Sequence, residues 1–305
     1  MTHIAHKLMR HVAAQGWAGR IVPIEHLSDL EERIVGSGLR GLIDDEFYRE
    51  RLSGFAFRAP PELQNPRSII ILAVPVPQVH TIFHWKGDRF PAILPPTYVG
   101  YRATSERVRA GLGAFLGQEG YEVTKADLPL KTLAVCSGLA EYGRNNISYI
   151  PVWGSFFQLV GALSDLPSPD DPWGSLRMME RCESCIACLC ACPTGAITQD
   201  RFLLHAERCI TFHNERSAAF PAWIDPAWHT CLLGCMRCQS VCPENKGVLS
   251  WVEEREEFSE EEARLLLDCA PLENLPTSTV ERLRRLDMVD DLPILARNLS
   301  VLLSA

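Results

Sequence analysis

Two closely spaced sets of cysteines carry the most specific chemistry in this sequence. The first set has the spacing C-x2-C-x2-C-x3-C and ends in proline; the second has three cysteines and the same proline ending. In such a run the first three thiolates bind one 4Fe-4S cluster, and the fourth cysteine binds the other cluster of the pair. The two sets are Cys182, Cys185, Cys188 and Cys192, and Cys235, Cys238 and Cys242. The spacing therefore predicts two 4Fe-4S clusters.

The second set lacks one cysteine at its start, so the eighth ligand must come from elsewhere. Cys209 lies between the sets and is the expected ligand, with Cys231 as the alternative. The predicted ligands of one cluster are Cys182, Cys185, Cys188 and Cys242, and those of the other are Cys192, Cys209, Cys235 and Cys238. The leftover cysteines are interpreted as buried small apolar residues, except that Cys190, between two ligands, should point outward. They are Cys136, Cys190, Cys231 and Cys269.

Zinc sites and disulfides are the alternative uses of so many cysteines. Zinc sites usually pair cysteines around a turn, whereas a third close cysteine and a Cys-Pro ending are typical of iron–sulfur ligation. Residues 1–17 carry neither a secretory signal nor a twin-arginine signal. We therefore expect a cytoplasmic protein, in a reducing compartment where disulfides are rare.

Composition indicates a soluble enzyme with no membrane segment. The chain has 305 residues, is 47% hydrophobic and has a net charge of -8, which allows two or three domains. Its longest apolar stretch, residues 69–76, is too short to span a bilayer. Residues 250–305 hold thirteen acidic and six basic residues, so this end of the chain is a poor electrostatic surface for nucleic acid.

Hydrophobic patterning predicts the elements that position the cysteines. Helices are expected at residues 4–15, 24–37, 104–118 and 294–303, and strands at 68–74 and 121–125. The aromatic and proline-rich residues 80–101 are predicted to be a loop lining a site, and the charged residues 253–262 an exposed helix face. The strand–helix–strand order favours a layered α/β or α+β fold. The predicted domains are 1–60 (helical), 61–175 (layered α/β), 176–248 (ferredoxin-like) and 249–305 (short acidic helical tail).

Three further segments resemble one known family. Residues 127–131 (DLPLK) occupy the place of the family segment DSAPVLE, residues 138–145 (GLAEYGRN) resemble GLGWIGKN, and residues 154–159 (GSFFQL) resemble GSWFFLG. Together with the cysteine sets, they make the chain similar to the epoxyqueuosine reductases, cobalamin-dependent iron–sulfur enzymes related to reductive dehalogenases. The match runs in order from about residue 22 to the C-terminus.

The resemblance implies a cofactor, a reaction and a set of site residues. It implies a nitroreductase-like cobalamin-binding domain followed by a ferredoxin module with two 4Fe-4S clusters. An external low-potential donor would load the clusters, cob(I)alamin would reductively deoxygenate the substrate, and Asp127 would supply a proton. The implied partner is tRNA, in queuosine biosynthesis. The implied corrin contacts are Gly138, Tyr142, Gly143, Arg144, Asn145, Gly154, Ser155 and Phe156.

The residues themselves support a proton donor at Asp127. It stands between Ala126 and Leu128-Pro129, and burial in an apolar pocket raises the pKa of a carboxylic acid toward the range of a useful donor. Its alternative role is that of an ordinary turn aspartate. Tyr98 and Tyr101 are further candidate donors, with simple packing as the alternative.

Two other functions stay open at the level of sequence. The same cofactors could serve a small molecule or another protein's corrinoid, which the acidic C-terminal residues, Glu141 and Glu244 favour. The chain could also be an electron-transfer protein with two clusters and no corrin. The sequence does not specify an oligomeric state.

Overall fold

The computed structural model describes residues 2–304, and its central sheet has four strands. The strand order is β1 (Ala18–Pro23), β2 (Ser68–Pro75), β8 (Phe157–Ser164) and β5 (Val123–Lys125), and every neighbouring pair is antiparallel. The α+β form of the expected class therefore describes this sheet. The remaining strands are β3 (Gln78–Trp85), β4 (Asp88–Leu94), β6 (Glu141–Tyr142), β7 (Ser148–Tyr149) and β9 (Val252–Phe258).

The helices cover both faces of this sheet and form most of the C-terminal region. The long ones are α1 (Thr2–Ala14), α2 (His26–Leu39), α4 (Tyr101–Gln118) and α11 (Leu292–Ser304). The shorter ones are α3 (Asp45–Phe47), α5 (Leu130–Cys136), α6 (Ala187–Ala191), α7 (Ile210–Asn214), α8 (Arg237–Ser240), α9 (Glu260–Leu267) and α10 (Thr277–Arg285). Single turns of 3-10 helix include Glu180–Cys182, Ala206–Arg208 and Pro243–Asn245, and Tyr48–Leu52 is a π-helical turn.

Strand β2 is buried on both sides, as its unbroken apolar sequence predicted. Ile69, Ile71 and Ala73 face a core that includes residues of α2 and α5, while Ile70 and Leu72 face a second core with α1 and α4. This alternation follows from the two-residue period of a strand. The predicted helices at both chain ends and before β5 are confirmed, within a few residues at each boundary.

The prediction of a loop at residues 80–101 is wrong. Strands β3 and β4 form an antiparallel hairpin there, closed by Lys86 and Gly87 with φ of 52° and 87°. Two successive positive φ values suit the tight turns that join twisted strands. Pro91 is tolerated because β4 is an edge strand, where a missing N–H breaks no sheet hydrogen bond.

The prediction of an exposed helix face at residues 253–262 is also wrong for its first half. Val252–Phe258 forms β9, which pairs in parallel with β3, and only Glu260 begins helix α9. Cross-strand pairs such as Arg89 with Glu254 explain how so acidic a strand is accommodated. Helices α9, α10 and α11 then bury a separate core against the hairpin. The C-terminal residues are thus packed onto the hairpin rather than projecting as a tail.

The cysteine-bearing residues fold as short turns and helices beside the β6–β7 hairpin. Helices α6 and α8 pack against each other, and each carries one cysteine of a predicted cluster, Cys188 and Cys238. Among residues 2–304, no helix combines the length and the apolar character needed to cross a membrane.

Candidate functional site

Four of the predicted ligands lie together around α6, and we call them the first group: Cys182, Cys185, Cys188 and Cys242. Burial raises the pKa of Cys182, the Arg144 N–H lowers it, and the charges of Cys242 and Cys185 raise it again. Burial and the charges of Cys182, Cys242 and Cys185 raise the pKa of Cys188 to about 11. Each thiol therefore lies within electrostatic reach of its predicted partners.

The other four predicted ligands form the second group: Cys192, Cys209, Cys235 and Cys238. Burial, and to a smaller extent the charges of Cys235 and Cys192, raise the pKa of Cys209 to about 11. Burial and the charges of Cys235 and Cys209 raise the pKa of Cys238, which an Asn145 hydrogen bond lowers. Thiolates held this close repel one another, and the irons of a cluster are cations that offset such repulsion. Both groups therefore fit a cluster chemically.

Cys231 is placed differently from Cys209. It is 1% exposed and packs with Phe156 and Met236 in a small apolar core. Burial, and to a smaller extent the charge of Cys235, raise its pKa to about 12. Of the other leftover cysteines, Cys136 is buried as expected and Cys190 is exposed as expected, whereas Cys269 is exposed and not the buried residue predicted.

The geometry of the thiols also bears on the zinc and disulfide alternatives. Within residues 2–304, no three His, Cys, Asp or Glu side chains are close enough to hold a single metal ion. The thiolates of a 4Fe-4S cluster bind separate irons, so they stand farther apart than the ligands of one zinc ion. All twelve cysteines, each of them in the described part of the chain, are free thiols.

Arg144 supports the loop of the first group. Its guanidinium is 8% exposed and donates to the backbone carbonyls of Cys182 and Cys185, at 2.5 and 3.2 Å. A 4Fe-4S cluster with four thiolates is an anion, so a buried positive charge beside it is stabilising. The turn at residues 143–147 thus inserts a cation next to the first group.

The turn before β8 forms hydrogen bonds and close contacts with the segment that follows Cys242. The Ser155 N–H donates to Asn245 Oδ1 at 2.8 Å, and Ser155 Oγ donates to Gln239 Oε1 at 2.8 Å. Gly154, with φ of 55°, lies so close that an added Cβ would be 2.2 Å from Asn245 Oδ1. Phe156 is completely buried against Cys231 and Met236.

In the structure, most of the residues expected to line a corrin contact the cysteine-bearing segment. Arg144, Asn145, Gly154, Ser155 and Phe156 are engaged by the cysteine-bearing segment. Tyr142 packs in the main core with its hydroxyl 3.3 Å from Thr132, and Gly143 is packed tightly against Asn145 and Tyr149. Gly138 borders a cavity of about 280 Å³, which it shares with Glu141 and Arg177. The family segments therefore hold the cysteines in place.

Asp127 does not lie in the apolar pocket expected of it. Its side chain is 56% exposed and forms an ion pair with Lys125, with Nζ and Oδ1 2.7 Å apart. The neighbours Ala126 and Leu128 are buried instead, because side chains alternate as the chain leaves β5. Its backbone oxygen accepts from the Ala56 N–H at 2.8 Å.

Lys131, four residues after Asp127, was not identified from the sequence. Its side chain reaches solvent, yet its ammonium is crowded by protein, and this burial lowers its pKa while Cys209, Glu215 and Cys238 raise it. Tyr98 donates a short hydrogen bond to Glu215 and is near Cys209. We call Tyr98, Lys131 and Glu215 the opening, because these side chains are not fully buried and lie near thiols of the second group. A lysine in the first turn of a helix gives no sequence signal that it lies near predicted cluster ligands.

Comparison with known proteins identifies the cysteine-bearing region. Residues 181–245 match the family described as the 4Fe-4S double cluster binding domain. The prediction of two 4Fe-4S clusters is thereby confirmed. The match covers all seven cysteines of the two sets and also Cys209 and Cys231.

Relatives with similar sequences are epoxyqueuosine reductases. The Escherichia coli protein is 34% identical over 138 residues, 45% of this chain and 35% of the relative. The Pseudomonas aeruginosa protein is 35% identical over 143 residues, 47% of this chain and 38% of the relative. The matched regions thus span little more than a third of these relatives' length. The resemblance to this family is confirmed.

Solved structures of epoxyqueuosine reductases share the fold over nearly the whole of this chain. An epoxyqueuosine reductase from Bacillus subtilis, described with its catalytic aspartate loop swung out of the active site, matches with a TM-score of 0.68 and 21% identity. An epoxyqueuosine reductase with an epoxyqueuosine-modified tRNA-Tyr stem loop matches with a TM-score of 0.69 and 21% identity. Each match covers 99% of this chain and 81% of the other.

Proposed function

From this likeness we propose that the chain is a two-cluster, cobalamin-dependent reductase similar to epoxyqueuosine reductase, with tRNA carrying epoxyqueuosine as its substrate. The observation that carries the proposal is the sorting of eight cysteines into two adjacent groups, one of which borders an opening to solvent. The first and second groups each bind one 4Fe-4S cluster, with Cys209 as the eighth ligand.

The arrangement supports an electron path through the two clusters. Ile186 and Val241 are exposed apolar residues next to Cys185 and Cys242, so an external low-potential donor has access to the first group. The second group lies beside the opening. With clusters bound, electrons would enter through the first group and leave through the second, toward a molecule held at the opening.

Cobalamin would be held at this opening, beside the second group. When bound, it supplies the low-potential, two-electron chemistry that removes an epoxide oxygen. What supports this placement is that the side chains of the opening are not fully buried and lie near thiols of the second group. Lys131 is the hydrogen-bond donor that would hold polar groups of the corrin there.

Asp127 supplies the proton after a movement of its loop. Its ion pair with Lys125 is solvent-exposed, and such pairs contribute only about 0–1 kcal/mol. Displacing the Asp127 side chain toward the opening therefore costs little free energy. The swung-out aspartate loop described for the Bacillus subtilis relative supports this interpretation.

The test is anaerobic reconstitution with iron and sulfide, followed by cobalamin binding and turnover. We expect a change in the cobalamin absorption spectrum on binding and conversion of an epoxyqueuosine stem loop to queuosine, detected by mass spectrometry of the nucleosides. If cobalamin binds but the stem loop is not converted, the substrate would instead be a small molecule or another protein's corrinoid.

The proton-donor role has its own variant and control. Asp127→Asn should reduce turnover by about a hundredfold, the scale of a lost general acid, without changing iron content or cobalamin binding. Asp88→Asn, at the exposed β3–β4 turn, should leave turnover unchanged. Equal turnover in Asp127→Asn and the unaltered protein would remove Asp127 from the reaction.

A second candidate function is electron transfer without a corrin. It is favoured by the use of the predicted corrin contacts in holding the cysteine-bearing segment. This alternative predicts that both clusters form and can be reduced. It also predicts that the protein leaves the cobalamin absorption spectrum unchanged, and both results together would establish it.

A further inference from the structure

One exposed segment follows α2 in the chain, and we call its residues 42–55 the strap. It contains α3 and the π-helical turn Tyr48–Leu52, and single π-helical turns recur at functional sites. None of its residues is fully buried, although the Tyr48 ring packs on Gly38 of α2. A segment that buries so little has low local stability, and binding loops and lids are drawn from such segments.

The strap is held against α7 mainly by charge. Arg216, two residues beyond α7, donates to Glu46 at 2.6 Å and to Glu50 at 2.9 Å. Phe47 makes an edge-on contact with Phe212, with the ring centroids 5.4 Å apart. Both glutamates are exposed, and exposed ion pairs are weak and screened by salt. The position of the strap therefore depends on contacts that are easily broken.

The strap also contacts the opening. Arg51 Nη2 lies 3.3 Å from Glu215 Oε2, and the Glu215 carboxylate also accepts a hydrogen bond from Tyr98. Helix α7 runs from the residue after Cys209 to the residue before Glu215. The strap therefore rests on the element that joins the eighth predicted ligand to the opening.

Glycines at its two ends give the strap room to move. Gly41, with φ of 66°, precedes the strap and Gly54 lies near its end, and an added Cβ at either glycine would meet no atom within 4 Å. Glycine adopts a wider range of backbone angles than other residues, and a few such positions absorb a hinge movement. The Arg201 guanidinium donates to the Leu42 carbonyl, so the first hinge is anchored to the cysteine-bearing region.

The far end of the strap is connected to the backbone of Asp127. The N–H of Ala56, directly after the strap, donates to the Asp127 carbonyl at 2.8 Å. Hydrogen bonds between segments are one of the means by which a displacement of one segment biases the other. Movement of the strap therefore reaches the residue proposed as proton donor.

We propose that the strap is a lid over the opening, closed by the ion pairs of Arg216 and Glu215, and that its release admits molecules to the second group and frees the Asp127 loop. The proposal rests on the proposed function for the roles of the opening and of Asp127. A lid of this kind lets a large molecule enter and then separates the reacting groups from bulk water.

The test begins with hydrogen exchange, followed by mass spectrometry, of the reconstituted protein. In Glu46→Gln/Glu50→Gln, peptides of the strap should exchange about fivefold faster, the scale of two lost surface ion pairs. The Ala56 amide should also exchange faster, because its acceptor is on the Asp127 loop. Added salt should have the same effect on the unaltered protein, since it screens these pairs.

Glu31→Gln/Glu32→Gln is the matched control. It removes the same charge from two exposed residues of α2, so the exchange of the strap should stay unchanged. A second measurement is the rate at which a water-soluble iron chelator abolishes the paramagnetic signal of the second cluster. That rate should rise in Glu46→Gln/Glu50→Gln and not in the control.

Equal exchange of the strap in the two double variants would overturn the inference, as would faster exchange with no change in the loss of the second cluster. Hydrogen exchange of the strap is measurable whether or not the protein binds cobalamin. Absence of cobalamin binding would therefore contradict the proposed function and leave the result for the strap standing.

Discussion

Arg144 and Asp127 illustrate how much a single residue's role depends on its contacts. The family resemblance implies a cofactor role for both residues; in the structure Arg144 donates to carbonyls of the cysteine loop, and Asp127 pairs with Lys125 at the surface. The cluster cysteines were easier to identify, because ligand spacing within a run is a local property. Lys131 gave no such signal, since the thiols near it, Cys209 and Cys238, are far away in the sequence.

Arg144→Met should destabilise the protein and weaken the first cluster. It leaves the carbonyls of Cys182, Cys185 and Glu183 without this donor, and a buried polar group without a partner costs about 1–3 kcal/mol. We expect the free energy of unfolding of the apoprotein in urea to fall by about 2–3 kcal/mol.

Arg181→Met is the control for this change, because Arg181 lies in the same loop but is 77% exposed and pairs with Glu244. Arg181→Met should lower the free energy of unfolding by less than about 1 kcal/mol. Equal decreases in the free energy of unfolding of the two variants would show that the Arg144 contacts stabilise the protein no more than an exposed ion pair does.

His229 should make stability depend on pH. It is 7% exposed, its Nε2 has no hydrogen-bond partner, and burial together with Arg297 and Arg237 lowers its pKa to about 4. Below an ordinary pKa of about 6.5 the unfolded chain binds the proton first, so stability is full above that value and falls toward pH 4. We expect His229 to lower the free energy of unfolding by on the order of 2 kcal/mol as the pH falls from 7 to 5.

The measurement is urea unfolding of the apoprotein at both pH values, comparing His229→Gln with His6→Gln. His6 is an exposed residue of α1, so its variant should keep the full pH dependence. His229→Gln should reduce the dependence, and an unchanged slope would contradict the assignment of a neutral, buried histidine.

At the scale of elements, local pattern predicted the isolated helices and the buried strand but missed the small sheet. Strands β3 and β9 are separated by about 170 residues, and the parallel pairing between them is what makes the acidic Val252–Phe258 segment a strand. Alternating charge in such a segment is equally typical of an exposed helix. The β3–β4 turn could have been found from Lys86-Gly87, although nearby aromatics and prolines favoured a loop.

Gly143 should be irreplaceable in the β6–β7 hairpin. Its added Cβ would press on both Asn145 and Tyr149, and overpacking of this kind costs about 1–3 kcal/mol. We expect Gly143→Ala to lower the free energy of unfolding by that amount and to reduce the iron bound.

Gly111→Ala provides the comparison within the same chain. Gly111 is exposed in α4, and an added Cβ meets no atom within 4 Å. Its substitution should raise stability by about 0.5–1 kcal/mol through helix propensity. If both alanine variants were stabilising, the close packing at Gly143 would be excluded as a constraint.

The whole molecule joins three packed regions, of which the cysteine-bearing one depends on the others. The β6–β7 hairpin and the turn before β8 hold it through Arg144 and Ser155, and α11 holds it through Asn298, which donates to the Asn214 and Leu232 carbonyls at 2.9 Å. Sequence alone could not choose between Cys209 and Cys231, because that choice depends on how these regions fold together.

Iron counting in two cysteine variants tests the central claim of two clusters with Cys209 as the eighth ligand. The reconstituted protein should hold eight irons, as two 4Fe-4S clusters require. Cys231→Ser should retain all of them, because Cys231 lies in an apolar core. Cys209→Ser should lose the second cluster, measured as iron and acid-labile sulfide and as the loss of one paramagnetic resonance signal. Loss of iron in Cys231→Ser with full retention in Cys209→Ser would contradict the account.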